Sequence, residues 1–274
     1  MSHKLKLKKK EDIINLRHSG RVLAQTLNVM VRSTRAGITT HDLDSIAHDF
    51  IVSNEGCSAA FLNYKPYGAQ YPYPATICIS VNDEVVHGIP SDYMLIAGDV
   101  VSYDGGVKYK GMISDSAITV IVTAGGCITI DDILKRHDDG IVLSDVERLL
   151  LNTYQSMLAG VHAAKIGDRV NQVSKAIAAK IDKRYGVIKT FAGHGVGYHV
   201  HEEPFVPNYD DGVEGPIMRD GLVIAIEPML TLGTDEVDVL DDGYTAVTVD
   251  GSISAHFEHT VLVGERGGEI LTSL

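Results

Sequence analysis

Asp104 and Asp115 stand eleven residues apart in two runs of strand character, 99–104 and 113–117, and the Tyr109-Lys110-Gly111 segment between them can turn the chain. A hairpin centred between Tyr109 and Lys110 sets the two carboxylates directly opposite one another on one face, with Cβ atoms about 4.5–5.5 Å apart. Like charges that close repel unless a cation lies between them, so the pair points to a bound divalent metal. Glu227 closes the apolar run 222–226 just before Pro228, and Glu258 lies in Ala255-His256-Phe257-Glu258-His259-Thr260-Val261-Leu262-Val263. A carboxylate buried in an apolar strand needs a partner. His194 stands between Gly193 and Gly195, His201 follows seven residues later, and His87 lies in Val85-Val86-His87-Gly88-Ile89-Pro90. Each of these residues alone has an ordinary explanation: an aspartate at a turn, a glutamate in a salt bridge, a histidine satisfied in core or surface. Together they offer four carboxylates and several imidazoles. An oxygen-rich set of this kind suits Mn, Fe, Co or Zn, as a pair rather than as a thiolate zinc site. Two ions roughly 3.5–4 Å apart can clamp a carbonyl oxygen and activate water. The chemistry indicated is hydrolysis of an amide or ester.

The elements that must position these groups are legible from periodicity. Leu23, Leu27, Met30 and Val31 give helical spacing within 11–31, and Arg35-Ala36-Gly37 breaks it. Thr40 is expected to cap a second helix carried by Leu43, Ile46, Ala47, Phe50 and Ile51. Residues 61–74, rich in Tyr, Pro and Gly, read as loop, and strands are expected over 76–81, 99–107 and 116–122. The second half reads alike: a helix over 145–163, a break and cap at Gly167-Asp168, and a helix carrying Val170, Val173, Ile177 and Ile181. Strands are then expected over 197–201, 222–226, 244–249 and 256–263. Overlaying the halves at an offset of 130 residues matches Gly37 with Gly167, Leu43 with Val173, Ala47 with Ile177 and Ile51 with Ile181. That order, met twice, suggests a duplication. The expected architecture is one α+β domain over 11–274, of two halves (about 11–127 and 143–274) sharing a site at their seam. Residues 128–142 read as an extended connection and 1–10 as a basic tail.

Bulk properties narrow the function. A chain of 274 residues, 45% hydrophobic, can bury a large core. A net charge of −12 argues against a protein that coats nucleic acid or anionic lipid. The run Lys4-Leu5-Lys6-Leu7-Lys8-Lys9-Lys10 reads as a solvated, frayed terminus. Three cysteines, Cys57, Cys78 and Cys127, form no disulfide framework and fit a reducing compartment. Without a signal core or a spanning stretch, the expectation is a cytoplasmic protein.

Six segments carry a further likeness: Val81-Asn82-Asp83-Glu84-Val85-Val86-His87-Gly88-Ile89-Pro90, Gly98-Asp99-Val100-Val101-Ser102-Tyr103-Asp104, Gly193-His194-Gly195-Val196-Gly197, His201-Glu202-Glu203-Pro204, Ile226-Glu227-Pro228-Met229 and Phe257-Glu258-His259-Thr260. In order and spacing, from about residue 11 onward, the chain closely resembles the type I methionine aminopeptidases. The resemblance implies the pita-bread fold, with two pseudo-symmetric halves and a curved antiparallel sheet. It implies a metal pair held by Asp104, Asp115, His194, Glu227 and Glu258, with Asp115 and Glu258 bridging both ions. It also implies removal of the initiator methionine from new chains whose second residue is small. By analogy a bridging hydroxide attacks the Met carbonyl while Glu227 handles the proton. His201 steadies the carbonyl oxygen and His87 contacts the scissile nitrogen. Cys78 and Tyr244 match methionine-pocket positions, as do Tyr64 and Tyr73 across extra residues between Tyr67 and Tyr73.

The chain departs from the family pattern in several places. Ser102-Tyr103-Asp104 stands for Asn-Ile-Asp, Gly105-Gly106 for a residue and Thr, and Ile113-Ser114-Asp115 for His-Gly-Asp. Val200 stands where an aromatic wall residue often precedes the second histidine, and the indole common at the Tyr244 position is absent. Expected partners are N-terminal Met peptides of nascent chains, with ribosome contact by the basic terminus left open. Neither a nucleic-acid substrate nor a membrane is expected, and a monomer is. Proline-specific peptidases of the same fold usually carry an extra N-terminal domain for which this chain has no room. A non-catalytic binding relative is the other alternative, and intact ligands argue against it.

Overall fold

The computed structural model describes residues 5–66 and 68–274. The first four residues of the basic tail and Tyr67 lie outside the described residues. Along the chain come helices α1 (Lys10–Ser33) and α2 (Thr40–Ser53), then strands β1 (Cys57–Ala59), β2 (Ile77–Val81), β3 (Glu84–Val86), β4 (Val100–Tyr109), β5 (Met112–Val122) and β6 (Cys127–Ile128). Three helices follow: α3 (Ile130–Asp138), α4 (Asp145–Ala163) and α5 (Asn171–Lys180). The remaining strands are β7 (Gly186–Val187), β8 (Gly193–Gly195), β9 (Glu202–Val206), β10 (Val223–Ile226), β11 (Met229–Thr231), β12 (Val237–Val239), β13 (Ala246–Thr248), β14 (Ser254–His256), β15 (Glu258–Leu262) and β16 (Glu269–Ile270).

The largest sheet runs β1-β4-β5-β15-β10-β8-β9 and is antiparallel at each of these pairings. It joins strands of both halves at the β5–β15 pairing, where Glu258 faces Ala117 and His259 faces Ser116. One side of β4 is packed by helices. Val101 and Tyr103 share a core with Leu23, Leu27 and Met30 of α1 and Leu43, Ala47 and Ile51 of α2. In the second half Leu149, Leu150 and Met157 of α4 and Val173 and Ile177 of α5 pack with Ile224, Ile226 and Phe257. Because side chains alternate along a strand, the residues between Val101 and Tyr103, and next after Tyr103, face away from α1 and α2. A third cluster, with Leu16, Phe61, Tyr73, Cys78, Val196, Val200 and Tyr244, closes around the opposite face.

The repeated helix pair is present. Gly37 and Gly167 both adopt left-handed backbone, at φ +88° and +94°, each between a long helix and a shorter one. Leu43, Ala47, Ile51, Val173 and Ile177 are all buried. Ile181 is only partly so, because α5 ends one residue before it.

Several sequence expectations are corrected. The hairpin turns at Lys110-Gly111 rather than one residue earlier, so Asp104 pairs with Ala117 and Asp115 with Gly106. Both turn residues have positive φ, +45° and +82°, as a two-residue hairpin turn requires, and a glycine suits the second place. The shift is an even number of positions, so the two carboxylates keep one face as diagonal neighbours. Thr39, not Thr40, caps α2: its hydroxyl accepts the Asp42 N–H while Asp42 accepts the Thr39 N–H. Asp168 does not cap α5, whose N-cap is Val170. Residues 197–201 are not a strand; the chain turns there between β8 and β9. The 128–142 connection carries a helix that the sequence expectation does not give it, α3. Thr129 caps α3 reciprocally with Asp132, and Ile133 is buried. The tail is not a frayed terminus as far as Lys10, since Lys10 opens α1 and Lys8 is 5% exposed. Among the described residues no helix is long and apolar enough to cross a membrane.

Candidate metal centre

Five neighbouring strands of the large sheet each bring one of the expected ligands to the same place. Asp104 comes from β4, Asp115 from β5, Glu258 from β15 and His194 from β8, while Glu227 stands one residue past the end of β10. Ala117 pairs with both Asp104 and Glu258, so these three positions form a row across the sheet. Ile226 pairs with His259, which puts Glu227 at the level of Glu258. Asp115, His194 and Glu258 offer ligand atoms that all lie within 4.8 Å of one another.

One oxygen of each of the four carboxylates has been taken out of water without a hydrogen-bond partner to replace it. Asp104 Oδ1, Asp115 Oδ1, Glu227 Oε1 and Glu258 Oε1 are buried and accept no hydrogen bond. A single such oxygen is costly, and four converging in one place are stable only with cations or protons between them. Without a cation, burial pushes all four carboxyl pKa values up. The neighbouring carboxylates push Asp115, Glu227 and Glu258 further. The imidazole is prepared as well. His194 Nδ1 lies 2.9 Å from the Gly195 carbonyl, which can only accept, so Nδ1 carries the proton. Nε2 is left as a free lone pair 3.3 Å from Glu227 Oε1. Burial, then His201, holds its pKa down to about 3, keeping the ring neutral as a metal ligand must be. Orphaned oxygens, a neutral imidazole and no thiolate in the set fit hard to borderline divalent cations.

The backbone around the ligands is anchored. The Asp115 N–H donates to Thr260 Oγ1 at 2.8 Å, and that hydroxyl donates back to the Asp115 carbonyl at 2.7 Å. Ser116 Oγ donates to the Glu258 carbonyl at 2.7 Å, and Asn208 Nδ2 to the Glu227 carbonyl at 3.1 Å. Gly193 and Gly195 are required by close approach. A Cβ would lie 2.4 Å from the Ala225 carbonyl oxygen at the first and 2.2 Å from that of Glu203 at the second.

A cavity of about 140 Å³ opens beside the ligands. Every residue expected from the sequence lines it: the five ligands, His87, His201, Cys78, Tyr64, Tyr73 and Tyr244. His201 Nδ1 meets the Tyr64 hydroxyl at 2.9 Å. His87, at φ +62°, stands edge-on to Phe191 with ring centroids 5.1 Å apart, and burial holds its pKa to about 4. Tyr73 and Tyr244 pack edge to face at 5.1 Å. The Cys78 thiol is pushed well up by burial and then by Asp104, so it is a neutral wall and not a nucleophile.

Phe61 and Pro66 also line the cavity and were not foreseen, because the 61–74 loop has no periodicity to aim its side chains. His256 was missed too. It is buried, its Nε2 lies 3.9 Å from Glu227 Oε2, and neither ring nitrogen has a hydrogen-bond partner. Its spacing of two from Glu258 could have signalled it. His259, on the other side, bonds Thr272 Oγ1 at 2.9 Å.

The departures from the family pattern are packed, not idle. Ser102 Oγ meets Thr119 Oγ1 at 2.8 Å, and Tyr103 OH meets Thr34 Oγ1 at 2.7 Å. A Cβ on Gly106, on the Asp104 face, would come within 3.0 Å of the Phe61 ring, so this glycine makes room for a cavity wall.

Residues 14–265 match metallopeptidase family M24. The chain belongs to this family. Its M24 relatives include the methionine aminopeptidase of Aquifex aeolicus, 40% identical over 98% of this chain and 99% of that one. The crystal structure of methionine aminopeptidase from Thermotoga maritima superposes with a TM-score of 0.85 at 33% identity, covering 99% of this chain and all of that one. The prolidase of Pyrococcus furiosus shares the fold, at TM-score 0.67 and 20% identity, but this chain covers only 65% of it. The fold is therefore the pita-bread architecture, and the protein is a metallopeptidase that uses divalent metal.

Proposed function

We infer that this protein is an aminopeptidase that removes the initiator methionine from nascent chains whose second residue is small, using two divalent cations drawn from Mn, Fe, Co or Zn. The observation that carries the reading is the convergence of five ligands, one from each of five adjacent strands, on a small cavity walled by Phe61, Tyr73, Cys78 and Tyr244. Such a cavity suits an unbranched apolar side chain with a polarisable sulfur. The near-complete mutual coverage with methionine aminopeptidases, against partial coverage of a prolidase, supports the same reading.

When bound, the cations supply Lewis-acid polarisation and activation of water at neutral pH. Asp115 and Glu258, diagonal neighbours across β5 and β15, would hold both ions. Asp104 sits at one side of them, and His194 and Glu227 at the other. Glu227, a ligand at the cavity wall, would take a proton from the attacking water and pass it to the leaving amine. His201 donates to the carbonyl oxygen as it gains charge. With the Tyr64 hydroxyl donating to Nδ1, Nε2–H would be that donor. His87, at the cavity edge, contacts the scissile nitrogen.

The test is release of the N-terminal residue from Met-Ala-Ser, Met-Leu-Ser and Ala-Pro-Ser peptides after reconstitution with each of the four metals. Turnover of Met-Ala-Ser alone is expected. Cleavage of Ala-Pro-Ser with Met-Ala-Ser untouched would overturn the methionine reading, and no cleavage under any metal would overturn the enzyme.

A further inference from the structure

Lys8 lies before the first helix, in a stretch whose sequence reads as solvated tail, yet it is among the most enclosed cations of the described residues. Its ammonium is 2.7 Å from Glu202 Oε2, and the two side chains are 1% and 0% exposed. Lys8 Nζ also donates to the Lys6 carbonyl at 3.0 Å, and the Lys8 N–H donates to the Gly221 carbonyl at 2.7 Å. Two glycines with positive φ make way for it. A Cβ on Gly197 would lie 2.3 Å from Lys8 Cε, and one on Gly221 would lie 2.5 Å from the Lys8 carbonyl oxygen. Burial lowers the Lys8 pKa, and the bond and charge of Glu202 oppose that shift. A buried ion pair is weak evidence for stability alone, so its worth here lies in what it holds.

What it holds is the turn between β8 and β9. Glu202 uses its other oxygen, Oε1, to accept the His199 N–H at 2.9 Å, and the Gly197 N–H donates to the His199 carbonyl at 3.1 Å. A second tie comes from α1, where Asp12 Oδ2 accepts from the Tyr198 hydroxyl at 2.6 Å. A third comes from β5, as the Ile113 N–H donates to the Gly197 carbonyl at 2.7 Å. On the inner side of this turn stand Val200 and His201, both lining the cavity. The turn has no ladder of its own, so its shape depends on these outside grips.

We propose that Lys8, acting through Glu202, straps the 197–202 turn against the body of the protein and so fixes the position of His201, which makes Lys8 a positioning residue for the hydrolysis. The inference rests on the role given to His201 above, and double-mutant kinetics separate the two. The enzymes compared are wild type, Lys8→Met, Lys8→Arg, His201→Ala and Lys8→Met/His201→Ala, all metal-reconstituted, with metal content and thermal melting recorded for each. Lys8→Met is expected to lower kcat on Met-Ala-Ser about tenfold with little change in KM, the signature of weakened stabilisation of the transition state with substrate binding intact. Lys8→Arg, which keeps the charge, retains more kcat than Lys8→Met. In the His201→Ala background Lys8→Met adds nothing. Losses that multiply in the double variant, or a Lys8→Met enzyme with wild-type kcat, overturn the strap. A His201→Ala enzyme with wild-type kcat overturns the role of His201 instead. Should Lys8→Met fail to fold, Tyr198→Phe loosens the same turn from its exposed side. A smaller kcat loss, again absent in the His201→Ala background, is expected, and an unchanged kcat overturns the proposal.

Discussion

At the scale of single residues, the site is defined by what its oxygens lack. Four buried carboxylates with orphaned oxygens are an unstable arrangement that a cation resolves, and Asp115 is one of the three residues whose ligand atoms lie within 4.8 Å of one another. Replacing Asp115 with Asn keeps the shape and the backbone bonds to Thr260 while removing one charge. Asp115→Asn is expected to lower turnover and metal content more than about 100-fold while melting as a folded protein. Equal turnover and equal metal content by elemental analysis would refute the assignment. The departures at Ser102, Tyr103 and Gly106 show how a changed residue can be absorbed locally by a new hydroxyl pair or by an aromatic ring filling the space.

At the scale of elements, strands set the distances. Alternation puts Tyr103 into the helix-covered core and Asp104 into the cavity, so one strand serves fold and chemistry on its two faces. The β8 glycines do comparable work for His194 by letting strands approach where a side chain would forbid it. Gly193→Ala is expected to push β8 from Ala225 and move His194, costing about 1–3 kcal/mol of stability as an overpacked site. The metal affinity is expected to fall with it, read by isothermal titration. Unchanged affinity would mean that β8 has slack which its backbone distances do not suggest.

At the scale of the whole molecule, the ligands are shared between halves, so folding and metal binding are linked. The sign of that linkage depends on pH. His87, His194, His201, His256 and His259 have lowered pKa values, so below about 6.5 the unfolded chain binds the extra histidine protons. Buried Asp104, Asp115, Glu227 and Glu258 have raised values, about 7 for Asp104, so above about 4 the folded, metal-free protein binds the extra carboxyl protons. Between about pH 4 and 6.5 the two sets oppose each other. Above about 6.5 only the carboxylates remain, the folded state holds more protons, and stability falls as pH rises. Metal-free protein is therefore expected to melt lower at pH 8 than at pH 6.5. Manganese at about 100 times its Kd is expected to add about 2.7 kcal/mol, or roughly 5–10 °C. Calorimetry with and without chelator checks this, and a metal-free melting point that rises from pH 6.5 to 8 would contradict it.

Residue type and spacing by themselves determined that Asp104 and Asp115 share a face, that Glu227 and Glu258 close or occupy apolar strands, and that two helix pairs with a glycine break recur. Local periodicity is set by neighbours along the chain, and an even register shift leaves faces intact. The resemblance, not spacing, chose His194 over His201 and His87 as the ligand. Tertiary structure alone decided the rest. The turn chemistry of Lys110-Gly111 set the register, and long-range pairing at β5–β15 brought the halves to one site. Packing against Gly197 and Gly221 drew Lys8 out of solvent. A lysine in a basic run carries no local sign that a glutamate 194 residues away will bury it, because that pairing is made by the fold and not by the neighbours of either residue.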